Sequence, residues 1–106
     1  MNSRVSKKLY SHVGKSIKKF RKVKKVSQGK LAEQVGLTRA SITNIERGRQ
    51  NVTLDTLWHI ATILDVGIIE LLPKPQEIQL ALNAQLPSDV SRAEKKWIEG
   101  IANNER

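Results

Sequence analysis

Arg39, Ala40, Thr43 and Asn44 stand in a short stretch whose apolar members, Ile42 and Ile45, keep helical spacing. Projected at about 100° per residue, Ala40, Thr43, Asn44 and Arg47 share one face, opposite those two isoleucines. That face is polar, short in side chain and free of acids. Its chemistry is recognition without bond-making. The forked guanidinium of Arg39, at the first turn, suits the O6/N7 acceptor pair of guanine. The Asn44 amide suits adenine, and the Ala40 and Thr43 methyls suit the thymine methyl. An α-helix fits the major groove, where these base edges are displayed.

A second set of side chains suits phosphate. Gln28 stands where a helix begins, and the free N–H groups and dipole of a helix start favour an anion. Ser41, Arg47, Arg49, Gln50 and Asn51 surround the end of the Arg39 helix and can straddle one nucleic-acid backbone. Lys18, Lys19 and Lys22 add longer-range attraction, with a merely solvated lysine face as the competing reading. Arg4, Lys7 and Lys8 belong to a polar, basic start, expected as a mobile arm over residues 1–11. Such an arm either enters a minor groove or stays disordered.

Charge distribution supports a polyanion partner. The 106 residues hold nineteen Lys and Arg against ten Asp and Glu, a net of +9. Residues 1–53 carry fourteen bases against Glu33 and Glu46, leaving +12, whereas residues 54–106 carry five against eight, leaving −3. This asymmetry suggests a nucleic-acid face and a separate face for something else. Lys-rich helices that are simply soluble are the bland alternative. Membrane binding is weaker still, because Lys18 to Lys25 contains only Phe20 and Val23 as apolar members. No run approaches the ~20 apolar residues of a membrane span, and no apolar stretch follows Lys7 and Lys8 as in a secretory signal. With no cysteine and only His12 and His59, neither a metal site nor a cofactor is expected. There is no nucleophile–base pair and no phosphate-cradling glycine loop, so no enzymatic activity is expected either.

The elements that must position these side chains are helical. Val13, Ile17 and Phe20 form the stripe of a first helix. Ser27 caps a second, Gln28 to Val35, with Leu31 and Val35 inward, and Gly36 stops it. Thr38 caps a third, Arg39 to Arg47, ended by Gly48. Thr53 caps a fourth, Leu54 to Leu64, with Leu57, Ile60, Ala61 and Leu64 inward. A fifth, near Gly67 to Leu72, stops before Pro73. Trp58 either covers core or meets a partner, and His59 reads as an ordinary surface or packing histidine. Over Gln76 to Leu86 the alternation of Ile78, Leu80, Leu82, Ala84 and Leu86 is strand-like. The residue types nevertheless favour helix. Ser91 and Glu94 form a capping box for a last helix with Trp97 and Ile101 inward. The result is an all-α chain: a compact five-helix domain over 12–73 and a helical extension over 74–106.

Ser27-Gln28, Leu31-Ala32-Glu33, Gly36-Leu37-Thr38, Ile42-Thr43-Asn44-Ile45-Glu46-Arg47-Gly48 and Leu57 together resemble the Xre/Cro-type helix-turn-helix domain of phage repressors and bacterial regulators. The likeness runs from Val13 to Pro73 and departs at Gly29, Lys30 and Val52. It implies a lambda-repressor-like fold and base contact at the positions of Arg39, Ala40, Thr43 and Asn44. It also implies that the Gln28 side chain lies on a phosphate, and that Arg21 and Glu46 form a partly buried ion pair. Family members usually bind inverted repeats as two-fold dimers. Here the dimer or partner surface is expected on Ile68, Ile69 and Leu72 and on the extension, through Leu80, Leu82, Leu86, Trp97 and Ile101. The implied function is a cytoplasmic, double-stranded-DNA-binding transcriptional regulator of repressor type, encoded by a bacterium or phage. An antitoxin or defence-system controller, gripping a partner protein through the extension, is the alternative.

Overall fold

The computed structural model describes residues 3–85, and every regular element among them is an α-helix. These are α1 (Ser3–Val23), α2 (Gln28–Val35), α3 (Arg39–Glu46), α4 (Leu54–Ile63), α5 (Ile68–Leu71) and α6 (Pro75–Gln85). Three of the starts follow from one device. The hydroxyls of Ser27, Thr38 and Thr53 accept from the backbone N–H of Lys30, Ser41 and Thr56 at 3.0, 3.0 and 3.4 Å. Each satisfies a donor that the first helical turn leaves unpaired. The Thr53 hydroxyl also lies 2.6 Å from Asp55 Oδ1 and holds that exposed carboxyl below its usual range.

Ile17, Leu31, Ile42, Ile60, Leu64 and Leu71 are fully buried, so α1 to α5 each contribute to one core. Burying a side chain of this size stabilises the fold by about 1.5–3 kcal/mol. Ile42 and Ile45 root α3 in that core and thereby fix which of its faces looks outward.

The start of α1 corrects the expected mobile arm over residues 1–11. From Ser3 onward the chain is already helical, with no glycine or proline before Gly14. Leu9 and Tyr10 pack partly buried against the core, one turn ahead of Val13 and two ahead of Ile17. α1 also meets α6, and His12 Nδ1 lies 3.3 Å from Glu77 Oε2. Over residues 75–85 helix-forming composition prevails over the alternating pattern, and Pro75, whose fixed φ suits a first helical turn, opens α6. The expected last helix after Ser91 lies outside the described residues.

Where α1 crosses α3, Gly14 is buried. A Cβ there would fall against the Ile45 carbonyl oxygen and 2.8 Å from that of Glu46. The absence of a side chain lets the two backbones touch. No single helix among the described residues is long and apolar enough to cross a membrane.

Candidate nucleic-acid interface

α2 and α3 are joined by a turn that only a left-handed residue makes easily. Gly36 supplies it at φ 74°, and the Leu37 N–H donates back to Ala32 O at 2.9 Å. The two helices therefore meet at a fixed angle, with Ala32 and Leu31 buried beneath them. On the outer side of α3, Arg39 and Ala40 are exposed, and Thr43 and Asn44 are half-buried. The four expected readers thus lie on the face turned away from Ile42 and Ile45.

Beside this face a depression of about 250 Å³ is lined by Lys18, Gln28, Arg39, Thr43, Glu46 and Arg47. It draws together residues from α1, α2 and α3. Its one acid is already committed. Arg21 Nε donates to Glu46 Oε2 at 2.6 Å and Arg21 Nη2 to Glu46 Oε1 at 3.1 Å, while Nη1 donates to the Val26 carbonyl at 2.9 Å. Arg21 and Glu46 are 8% and 5% exposed, so the bidentate pair is a buried one. With that carboxylate neutralised from behind, Lys18, Arg39 and Arg47 leave the rim electropositive.

Gln28 is placed differently from the simple expectation of a side chain laid on phosphate. Its Nε2 donates to Glu46 Oε1 at 3.0 Å. Thr43 Oγ1 lies 3.2 Å from Gln28 Oε1 and 3.1 Å from the Arg39 carbonyl, and donates its single proton to either. The ion pair, the start of α2 and the outer face of α3 thus form one chain of bonds. The Gln28 amide retains its second N–H for an anion. Sequence reasoning missed this link, because nothing in the residue types shows that Glu46 accepts from two directions.

The remaining expected phosphate contacts are spread around this centre. The Ser41 hydroxyl accepts from Thr38 Oγ1 at 3.1 Å. Arg49 and Asn51 are exposed, and Gln50 half-buried, in the connection between α3 and α4, and Lys22 is exposed near the end of α1. Of the expected interface residues, Ile69 is 76% and Leu80 69% exposed, while Ile68 and Leu72 pack partly against the core. Leu82, Leu86, Trp97 and Ile101 lie outside the residues whose side chains are described. Leu54 and Trp58, one turn apart on α4, are also exposed, at 75% and 65%. They are exposed apolar side chains beyond those expected from spacing.

Residues 17–71 match the helix-turn-helix family model. The immunity repressor protein of Bacillus phage phi105 is 32% identical over 83 residues, covering 76% of this chain and 58% of that protein. SinR, an HTH-type transcriptional regulator of Bacillus subtilis, is 33% identical over 78 residues, which are 73% of this chain and 68% of SinR. A crystal structure of SinR in complex with DNA superposes with a TM-score of 0.53 at 35% identity, covering 56% of this chain and 95% of that one. The restriction-modification controller protein C.AhdI from Aeromonas hydrophila superposes with a TM-score of 0.57 at 35% identity, over 59% of this chain and 91% of its own. The chain therefore spans somewhat over half the length of the phage repressor it resembles and nearly all of the controller.

Proposed function

The chain belongs to the helix-turn-helix family of transcriptional regulators, and from that premise we propose that it is a sequence-specific repressor of double-stranded DNA. Helix α3 enters the major groove, and two copies occupy an inverted repeat whose half-sites lie about 34 Å apart. The observation that supports this reading best is the acid-free outer face of α3, bordered by Lys18, Arg39 and Arg47 around a carboxylate already paired with Arg21. Arg39, Ala40, Thr43 and Asn44 read bases. Gln28, Ser41, Arg47, Arg49, Gln50 and Asn51, with Lys18 and Lys22, hold the backbone. The protein acts by binding alone, without catalysis or cofactor, in the cytoplasm where duplex DNA is found. Exposed Ile69, with Leu54 and Trp58, supplies the apolar part of a homodimer surface.

A second reading is favoured by one observation. Leu80 is 69% exposed on α6, an apolar side chain on an extension that follows a complete domain. In that reading the extension over 74–106 grips a partner protein, and the same α3 face gives autoregulation, as in an antitoxin or defence-system controller. A dimer that survives deletion of the extension assigns dimerisation to α4 and α5 and leaves the extension to a partner.

Selection of bound sites from randomised duplexes tests the main reading, giving motif, symmetry and spacing together. On the selected site Arg39→Ala will cost about 1–3 kcal/mol and relax preference at one base pair. Arg49→Ala will weaken all sequences alike and shallow the salt dependence by about one phosphate's share. Identical behaviour of the two variants across base substitutions would show that reader and positioner are wrongly assigned.

A further inference from the structure

Away from the reading face, the first two turns of α1 and the connection after α3 form the walls of a groove of about 380 Å³. Arg4, Lys7 and Tyr10 line it from α1, Gly48 and Asn51 line it from the connection, and among the described residues that line it none is acidic. Arg4 and Lys7 stand one turn apart on the helix and are both exposed. The walls are held together by close packing. A Cβ at Gly48 would lie 3.0 Å from Ser11 Cα, so the connection rests directly on the α1 backbone.

Two features identify what the groove fits. Its charged side chains among the described residues, Arg4 and Lys7, are both cationic, and it is continuous with the end of α3. Gly48 follows Arg47 directly, and Asn51 belongs both to the groove and to the residues assigned above to the DNA backbone. The groove thus begins where the residues assigned above to the DNA backbone end. The helical form of this segment also decides the mode of contact. A helix with its side chains is about 10–12 Å across, and the minor groove is about 6 Å wide, so α1 meets phosphates rather than entering the groove.

We infer that this groove is a second phosphate-binding surface, taking the backbone that flanks the segment read by α3. The assignment rests on the DNA-binding reading given above. It lengthens the footprint of each protomer outward and adds affinity without adding base preference. Arg4 and Lys7 supply the charge, and the Tyr10 hydroxyl and Asn51 amide are of the types that donate to phosphate oxygens.

The test compares the full chain with an Arg4→Gln/Lys7→Gln variant on one selected operator in two lengths. One duplex ends at the last base pairs that selection fixes, and the other carries about one further helical turn on each side. Thermal melts of both proteins are recorded alongside, and binding is compared well below the lower melting temperature, so a change in stability is kept apart from a change in affinity. On the longer duplex the variant will bind about tenfold more weakly, and its log K against log salt slope will be shallower by ~1.8, for two phosphates at ~0.9 each. On the trimmed duplex the two proteins will be equal, and the selected motif will not change. Unchanged affinity and slope on the longer duplex, with the motif still selected, would overturn the groove assignment and leave the DNA-binding reading intact. An equal loss on both lengths would also overturn it, by placing the two cations inside the read segment. A wild-type chain with no affinity for duplex DNA would overturn the DNA-binding reading itself, and this assignment with it.

Discussion

Glu46→Ala will unfold at a melting temperature more than ~12 °C below that of the wild type, from a loss of about 3–5 kcal/mol at ~4–8 °C per kcal/mol for a domain of this size. The substitution leaves the Arg21 guanidinium, 8% exposed, with only the Val26 carbonyl as a partner among the described residues. It also removes the acceptor for Gln28 Nε2. Breaking one side of a buried pair costs more than the pair is worth, because the remaining charge cannot return to water. The double variant Arg21→Met/Glu46→Leu separates the two quantities. Filling the same space with apolar side chains should recover most of the lost stability, since the intact pair repays little beyond its own desolvation. Below the melting transition, Glu46→Ala should keep the base preferences set by Arg39, Ala40 and Asn44, and relax only the one met by Thr43, whose partner Gln28 loses its anchor. Thermal melts of the single and double variants check the first part, and an unchanged melting temperature in Glu46→Ala would sink it.

Gly14→Ala will be the second severe lesion, although the change adds one methyl group and should by itself favour a helix. Gly to Ala inside a helix ordinarily stabilises by about 0.5–1 kcal/mol. Here the new Cβ meets the backbone carbonyls of Ile45 and Glu46, which no rotamer change can move aside. Overpacking costs about 1–3 kcal/mol, and a rigid backbone on the other side puts this site at the upper end, for a net loss of about 2 kcal/mol. The same clash pushes the end of α3 away from α1, so operator affinity falls with stability. Gly29→Ala is the matched control. Nothing lies within 4 Å of a Cβ placed there, early in α2, and the variant should be stabilised by about 0.5–1 kcal/mol. Denaturant titrations of the two variants should move in opposite directions. A stabilised Gly14→Ala would mean that the α1–α3 contact is looser than described.

Much of this arrangement is legible in the residues. Ser27, Thr38, Thr53 and Gly36 mark boundaries by chemistry that acts within three or four positions, and α2 and α3 begin at the residues these caps dictate. The outward face of α3 follows from Ile42 and Ile45 in the same local way. What resisted reading depends on contacts between distant positions. The turns before Val13 look like a charged arm because Val5, Leu9 and Tyr10 are interspersed with Arg4, Lys7 and Lys8, and the surface that Leu9 and Tyr10 cover belongs to the folded core. Gly14 is visible as a glycine inside a helical pattern, but its purpose requires knowing that α3 crosses there. The inward turn of the Gln28 amide has no signature at all, since it depends on the second oxygen of a carboxylate eighteen residues away. Spacing sets Leu54 and Trp58 beside the buried face of α4, but how far each is exposed depends on what packs around α4 in the fold.

The bond from Thr43 to Gln28 has a consequence for how such a protein diverges. Ala40 is exposed, and among the described residues neither it nor Asn44 shares a side-chain hydrogen bond with the rest of the fold. A lineage can therefore try new residues at 40 and 44 with little penalty in folding. Thr43 is tethered through Gln28 to the carboxylate that also holds Arg21, so replacing it disturbs a chain of bonds that ends in the core. Operator preference in descendants of this sequence should drift first through positions 40 and 44, with position 43 changing late and in company with position 28.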